Sequence, residues 1–511
     1  MVLLILDGWG HSKQMLGNAI VSAKTLHINE IATNYPSLLL QASSRSVGLE
    51  WGEPGNSEVG HFTLGAGRIV FQYSPRINTA IETGAFFENQ ALVGAITHLR
   101  QTSGALHLLG LLGSGTVHSK FDHLIALIEL AKRNNVAKLY LHLFTDGRDS
   151  GLKEAPELFK KLEEYLTTKG VGKIATFVGR NFPMDRDNNW DLVRQAYELC
   201  VEGKGQPAKD ILGAVETYYH QGFEDSNLPP TLVDANGIIR DGDAVLFFNF
   251  REDSMRQIAR AFLDVSLSEF KKTTRTNTYI ALMTQYIESP GHTLNVAFPL
   301  PDVPNGLAQV LSNRGKKQLH IAETEKFAHT TYFFNCLRST PFEGEADILI
   351  DSYKEVSEHS EMRAAEIAQK FLEEFRKDVF DFTIMNLANA DALSHVGTLN
   401  LTIHAVEAVD LAVGVIKDVV LARDGILIIT SDHGNAESLV YKASGHSETK
   451  HNTNPVPLYL VGKEFQGRSF RTDGTDDPQG LLSDVAPTIL MLMQEEIPAE
   501  MTGSNLLANL S

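Results

Sequence analysis

A serine flanked by glycines, in the stretch Gly55-Asn56-Ser57-Glu58-Val59-Gly60-His61, is the first place in this sequence where chemistry could be done. Pro54 and the glycines allow a sharp turn that would present the Ser57 hydroxyl outward. A serine hydroxyl is a weak nucleophile and needs a base or a metal to take its proton. No Ser-His-Asp order surrounds it. Carboxylates and imidazoles occur instead toward both ends of the chain: Asp7, Asp391 with His395, Asp432 with His433, and His451. The spacing of Asp391 and His395 puts both on one face of a helix. With Ser57 these residues offer oxygen and nitrogen donors and no sulfur, a mixture suited to manganese, zinc or similar divalent ions. So many protein donors are better shared by two ions than crowded on one. An ion on Ser57 would lower the pKa of its hydroxyl, and a second could hold a phosphoryl group for in-line attack. Each histidine taken singly reads as a core or capping residue; it is the set that argues for a site.

A second group is basic. Arg148, Arg180, Arg186 and Arg251 fall in the middle of the chain. Guanidinium groups grip phosphate and carboxylate with paired hydrogen bonds. With no P-loop glycine pattern beside them, they point to a small phosphorylated acid rather than a nucleotide. Arg68 and the pair Lys132-Arg133 keep the plain reading of surface charge.

The elements that must position these groups are legible as alternation. Short apolar runs (Val2 to Leu6, Ala105 to Leu112, Leu139 to Phe144, Ile174 to Val178, Ala244 to Phe250, Leu319 to Ala322, Phe382 to Leu387, Ile426 to Thr430) alternate with helical patterns. The helices expected are His123 to Arg133, Pro156 to Lys169, Trp190 to Val201, Met362 to Arg376 and Leu401 to Leu421. Such alternation predicts parallel sheets covered by helices on both faces. Asp7, Asp146-Gly-Arg148-Asp149, Arg180, Arg251, Glu323 to Lys326, Asp391 and Asp432-His433 each follow one of the strands closely. In open α/β sheets ligands bind at the carboxyl ends of strands. Any one of these could be a turn residue; seven together suggest a catalytic face.

If Asp7, Ser57, Asp391 and Asp432 share one site, the chain ends form one domain and the middle is inserted into it. The expected crossings are Gly65 to Pro75 and the proline-rich run Ser289 to Pro304, giving 1–71 with 301–511 as a metal-binding domain and 72–300 as an inserted substrate-binding domain. Two linkers would make a hinge that closes over substrate.

The totals bound the rest. At 511 residues, with 43% hydrophobic and 21% charged, the chain has globular composition and room for more than one domain. A net charge of −18 argues against nucleic acid or an anionic membrane as the main partner. Cys200 and Cys336 are too few for a disulfide framework or a thiolate cage and fit a reducing cytosol. The run Val2 to Leu6 is too short for a signal peptide or a membrane span. A strand beginning at the second residue leads us to expect that a few native residues precede it.

Read together, the motifs LDGWG (Leu6 to Gly10), GNSEVGH (Gly55 to His61), DGRD (Asp146 to Asp149), MDRD (Met184 to Asp187), FFNFR (Phe247 to Arg251), ETEKFAH (Glu323 to His329), SDHGNAE (Ser431 to Glu437) and TNPVP (Thr453 to Pro457) resemble the cofactor-independent phosphoglycerate mutases across nearly the whole chain. The resemblance implies an alkaline-phosphatase-like doubly wound α/β domain with a second α/β domain inserted. It also implies a monomeric cytoplasmic isomerase of glycolysis and gluconeogenesis, interconverting 3-phosphoglycerate and 2-phosphoglycerate. By the same resemblance Ser57 becomes phosphoserine, Asp391, His395 and His451 hold one manganese ion, and Asp7, Ser57, Asp432 and His433 hold another, with no 2,3-bisphosphoglycerate required. His118, Arg148, Asp149, Arg180, Arg186, Arg251 and Lys326 match substrate-binding positions; Asp149 is the acid/base toward the glycerate hydroxyls, and Lys326 is counted with the catalytic residues.

Two departures stand out. A second arginine common after FNFR in the family is Ser254 here, with Arg256 the candidate to replace it. A proline and a glycine usual around the first metal motif are Ala390 and Ser394. A phosphatase or phosphopentomutase on the same metal scaffold is the alternative enzyme, but it would not need the arginine-rich insert. A non-catalytic metal- or phosphometabolite-binding protein would not need the serine.

Overall fold

The computed structural model describes all 511 residues except 265, 274, 276, 289–293, 441–445 and 472–474. Part of the proline-rich run expected at the second crossing, residues 289–293, therefore lies outside the described residues. The chain divides into two compact units, Met1–Gln72 with Pro301–Ser511, and Tyr73–Leu300. At the first expected crossing, Gly65 and Ala66 close the helix Ser57–Ala66, and Tyr73 opens the helix Tyr73–Thr83.

The first unit is built on an eight-stranded sheet. Its order is Glu345–Ile350, Gln318–Glu323, Phe382–Leu387, Val2–Leu6, Leu427–Thr430, Val456–Val461, Ser37–Gln41 and Gly480–Leu481. The first five strands are parallel, and Val456–Val461 runs antiparallel to both its neighbours. Val2–Leu6 is central and buried along its whole length because helices cover both faces, and this is why it reads as an unbroken apolar run. The long helix Leu399–Ala422 buries Val406, Val409, Val413 and Ile416, the stripe expected from a 3.6-residue period, with Ile403 partly buried against the same core.

The second unit repeats the scheme. Its sheet runs Asn295–Val296, Tyr279–Leu282, Ala244–Phe247, Leu106–Leu112, Leu139–Thr145, Lys173–Gly179, Thr231–Leu232 and Gln206–Pro207, parallel except where Lys173–Gly179 meets Thr231–Leu232. Alternation sorts the central strand between two cores. Leu106, Leu108 and Leu112 pack with Leu124 and Phe159, while Leu109 and Leu111 pack with Val193 and Phe247. Burying each such leucine is worth about 1.5–3 kcal/mol.

The predicted strands are present, Val2–Leu6 and Phe382–Leu387 with the expected ends and the others with ends that move by one to three residues. Phe248 to Phe250 are not part of a strand, and Ala244–Phe247 is correspondingly shorter. Four strands of the first sheet were not delimited from sequence, among them the two-residue Gly480–Leu481. Glu345–Ile350 is a half-buried edge, Ser37–Gln41 alternates between buried and half-buried positions, and Val456–Val461 contains Pro457.

One buried acid at a strand end links the fold to pH. Glu323 ends Gln318–Glu323 fully buried; its Oε2 accepts from Ser352 Oγ at 2.9 Å, and Oε1 has no hydrogen-bond partner among the described residues. Burial pushes its carboxyl from 4.5 up to about 7, against the Ser352 hydrogen bond. A raised carboxyl gives stability that is complete below its unfolded value and lost as pH climbs through the folded one. Glu323→Gln is therefore expected to gain on the unchanged protein by about 1–3 kcal/mol between pH 4.5 and pH 8. Melting midpoints at both pH values check this; a gap that does not change with pH contradicts it.

Candidate active site

The carboxylates of the first unit's pocket come from the carboxyl ends of central strands or the helix just beyond them, whereas Ser57 opens the helix Ser57–Ala66 and His451 lies in the loop before Val456–Val461. Asp7 follows Val2–Leu6, Asp391 lies in the helix Asn389–Val396 after Phe382–Leu387, and Asp432-His433 follow Leu427–Thr430. Gly8 lets the first of these turns close. It has φ +71°, and a Cβ there would lie 2.8 Å from the Cβ of Asp391, so a side chain would collide with the group the turn must approach.

Ser57 does not sit on a flexible turn. It is the first residue of the helix Ser57–Ala66, capped by Asn56, whose Oδ1 accepts from the Val59 amide at 3.1 Å. Gly60 lies within that helix, where a Cβ would fall 2.5 Å from the Asp432 carbonyl oxygen. Its role is close approach rather than flexibility. The hydroxyl thus lies at the positive end of a helix, where developing negative charge is favoured.

Around Ser57 Oγ stand Asp7 Oδ1 at 3.2 Å, His433 Nε2 at 3.0 Å and Lys326 Nζ at 2.7 Å. The Lys326 ammonium also donates to Asp7 Oδ1 and Asp391 Oδ2, both at 2.7 Å. Lys326, grouped with the arginines from sequence, is thus beside Ser57 in the first unit. Burial opposes its charge, but Asp391 and Asp7 keep its pKa above the ordinary lysine value. Burial likewise opposes ionisation of Asp391 and Asp432. Lys326 is the main group holding Asp391 well below the usual carboxylate range, and His433 does the same for Asp432. Against burial, Asp432 and Asp391 push His433 up to about 9.

This pocket carries more negative charge than its lysine neutralises, and two features fit divalent cations. Asp432 Oδ2 is buried and accepts no hydrogen bond among the described residues. His395 and His451 turn Nδ1 to the carbonyl oxygens of Thr449 (2.8 Å) and Gly55 (2.9 Å), a role only an N–H can fill. Both Nε2 lone pairs then face each other at 3.0 Å, with Asp391 Oδ1 3.4 Å and 3.2 Å away. Two opposed lone pairs beside a carboxylate suit a shared cation, and the carbonyls behind them are the usual orienting partners of metal-bound imidazoles. His395, Asp391 and His451 form one candidate ligand group; Asp7, Asp391 and His433 form a second, and Asp7, Asp432 and His61 a third. His61 has both nitrogens engaged, Nδ1 donating to Ser57 O at 2.9 Å and Nε2 accepting from Asn386 at 3.0 Å, so its geometry is that of a support. His395 is the exposed wall of the pocket; Asp7, Asp432 and His433 are sealed within it.

Sequence reasoning passed over Asn386 and Asn435. Asn386 Nδ2 donates to Asp7 Oδ2 at 2.7 Å, and Asn435 Nδ2 donates to Asp391 Oδ1 at 2.8 Å. Asn435 lies inside the SDHGNAE motif, which is a signal. Asn386, in the middle of an apolar strand, could have been flagged as a buried amide needing a partner.

The second unit holds the other candidates. Arg180 Nη1 reaches Asp146 Oδ1 and Asp149 Oδ2, each at 2.5 Å, and His118 Nε2 lies 3.6 Å from Asp149 Oδ2. Arg186 and Arg251 both pair with Asp253, at 3.0 Å and 3.1 Å. Arg148 is exposed. Burial and then Arg180 lower His118 to about 4, so it is a neutral imidazole near pH 7. Ser254 donates its hydroxyl to Asp253 Oδ1 at 2.9 Å, and Arg256 is an exposed residue opening the helix Arg256–Leu263.

The fold and the Ser57 pocket define an α/β protein of two units in which the serine that opens a helix is set in the donor shell of a candidate divalent-cation centre. A family model described as the BPG-independent PGAM N-terminus matches residues 77–288. The chain is 42% identical to the 2,3-bisphosphoglycerate-independent phosphoglycerate mutase of Clostridium beijerinckii, over all of this chain and 99% of the relative, and 41% identical to that of Shewanella amazonensis, over 98% and 97%. A solved structure of Leishmania mexicana phosphoglycerate mutase at low cobalt concentration is 28% identical, with a TM-score of 0.68 over all of this chain and 97% of that one. The chain belongs to the 2,3-bisphosphoglycerate-independent phosphoglycerate mutase family.

Because Asn386 orients Asp7 and His61 without being a metal donor itself, Asn386→Ala is expected to weaken divalent-cation binding about 10–100-fold. Titration of chelator-treated protein with manganese, followed by calorimetry, measures this; unchanged affinity would remove Asn386 from the supporting set.

Proposed function

We propose that this chain interconverts 3-phosphoglycerate and 2-phosphoglycerate through a phosphorylated Ser57, without 2,3-bisphosphoglycerate. What carries the reading is the Ser57 hydroxyl at a helix N-terminus, hydrogen-bonded to Asp7, Lys326 and His433 in a pocket with surplus carboxylate. In the first half-reaction Ser57 gives up its hydroxyl proton as Oγ bonds to phosphorus, the phosphorus–oxygen bond to the glycerate breaks, and the freed glycerate oxygen takes a proton. In the second, the other glycerate hydroxyl gives up its proton and attacks phosphorus, releasing Ser57. Asp149 is the acid/base for these hydroxyls, with Arg180 Nη1 paired to its Oδ2. His118, Arg148, Arg180, Arg186 and Arg251 hold the acid by its charges and limit its loss to water between the steps. Lys326 stabilises the phosphoryl oxygens and the serine alkoxide.

Two divalent ions, manganese in this reading, belong to the first unit: one with Asp391, His395 and His451, the other with Asp7, Ser57, Asp432 and His433. When bound, such ions supply a lowered hydroxyl pKa and charge neutralisation at the phosphoryl group. The first unit is then the metal-binding domain and the second the substrate-binding domain. We infer a monomer of the cytoplasm, in keeping with the acidic composition; no helix among the described residues is long and apolar enough to cross a membrane.

Ser57→Ala is expected to fold, to bind substrate and to lose at least about 10³-fold in kcat. A coupled enolase assay without added 2,3-bisphosphoglycerate reads the loss, and mass spectrometry of quenched unchanged protein reads phosphate on Ser57. Substantial turnover by the variant refutes the phosphoserine route, and phosphate release in excess of 2-phosphoglycerate favours a phosphatase. Arg256→Ala is expected to raise KM several-fold with little change in kcat if Arg256 replaces the guanidinium absent at Ser254; unchanged KM and kcat eliminate it.

A further inference from the structure

Away from Ser57, on the outermost pair of strands of the first unit's sheet, three further groups that can bind cations converge. Glu345–Ile350 and Gln318–Glu323 run parallel with His320 directly opposite Asp347. Side chains alternate along a strand, so Glu345, two residues before Asp347, shares its face, and the register brings His320 to that same face. His320 Nδ1 is 3.5 Å from Glu345 Oε1 and 3.9 Å from Asp347 Oδ1. One donor atom from each of the three lies within 4.8 Å of the others.

The imidazole is what makes this more than an acidic patch. His320 is fully buried, and its Nδ1, the nitrogen that faces the two acids, has no hydrogen-bond partner among the described residues. A buried polar nitrogen left unmet destabilises the folded chain. Asp347 Oδ1, which faces the ring, is also buried without a partner. Glu345 is held in place: Asn335 Nδ2 donates to Oε1 at 2.6 Å and the Phe342 amide to Oε2 at 2.8 Å. Phe334 packs edge-on against the ring of His320 at 5.8 Å between centroids, closing one side. Asp347 is the partly exposed member, with 17% of its side chain accessible, and so provides the way in.

The distances are too long for hydrogen bonds and close to what a metal would impose. Ligands on a tetrahedral ion with bonds of about 2.0–2.2 Å stand roughly 3.4 Å apart. We propose that His320, Glu345 and Asp347 form an additional divalent-cation site, separate from the Ser57 centre, which takes a zinc- or cobalt-class ion with water completing the shell and ties the two edge strands together. The strand so tied, Gln318–Glu323, leads directly into Lys326, and the ion would steady the base of the segment that carries the ammonium.

Full-length protein stripped with chelator and dialysed against cobalt chloride tests this. Glu345→Gln/Asp347→Asn keeps the size of the side chains while removing their charge. It is expected to bind about one cobalt ion fewer per chain than the unchanged protein at equal free cobalt and to lose part of the cobalt-dependent rise in Tm. Equal stoichiometry in the two proteins overturns the site. Crystals of the unchanged protein soaked in cobalt need no variant: an anomalous peak between His320 Nδ1 and Asp347 Oδ1 is expected, and its absence overturns the proposal.

Discussion

The first unit is organised by an excess of buried negative charge. Asp7, Asp391 and Asp432 are almost wholly removed from solvent, and the one ammonium among them, Lys326, bonds to two of the three. Ionised carboxylates in such surroundings carry a desolvation penalty of several kcal/mol each, and one lysine cannot balance three. The pocket raises His433 to about 9 and leaves Asp432 Oδ2 without a donor, both signs of positive charge still to be supplied. Such a centre sacrifices stability to hold charge close to the Ser57 hydroxyl.

The surrounding structure keeps that charge from relaxing. Asn386 and Asn435 fix carboxylate oxygens with single amide donors, and Thr449 and Gly55 fix imidazoles with carbonyl groups. Gly8 and Gly60 allow backbone and carboxylate to approach where a methyl group would collide. These supports rest on parallel strands buried on both faces, whose apolar packing outweighs the cost of the polar centre. The second unit uses the same scheme with the opposite balance. Three of its strand-end arginines, Arg180, Arg186 and Arg251, are paired with Asp146, Asp149 or Asp253, and this pairing orients their guanidinium groups.

Much of this was legible because its causes are local. Parallel strands covered on both faces require unbroken apolar runs, and their carboxyl ends require turns, so Val2–Leu6, Phe382–Leu387 and the polar residues that follow them stand out in the sequence. The spacing of Asp391 and His395 placed both on one helical face before any coordinates were considered. Long-range relations were less visible. Ser57 looked like a residue on a glycine turn, because nothing nearby reveals that Gly60 must pass against the Asp432 backbone. The edge strand Glu345–Ile350 escaped notice because its half-buried positions dilute the apolar signal, and with it went the pairing of His320 and Asp347.

From its residues alone, then, the chain determined its fold class, its motif set and the donor types available, since these follow from periodicity and side-chain chemistry. Only the tertiary structure decided that Lys326 stands beside Ser57, that His61 is saturated by Asn386 and Ser57, and that two imidazoles turn their lone pairs toward each other. The physical reason is sequence separation. Apart from the His61–Ser57 bond within one helix, those contacts join residues from distant parts of the chain, and they exist only because the packing of buried strands, which carries no trace of the partners, brings their ends to one place.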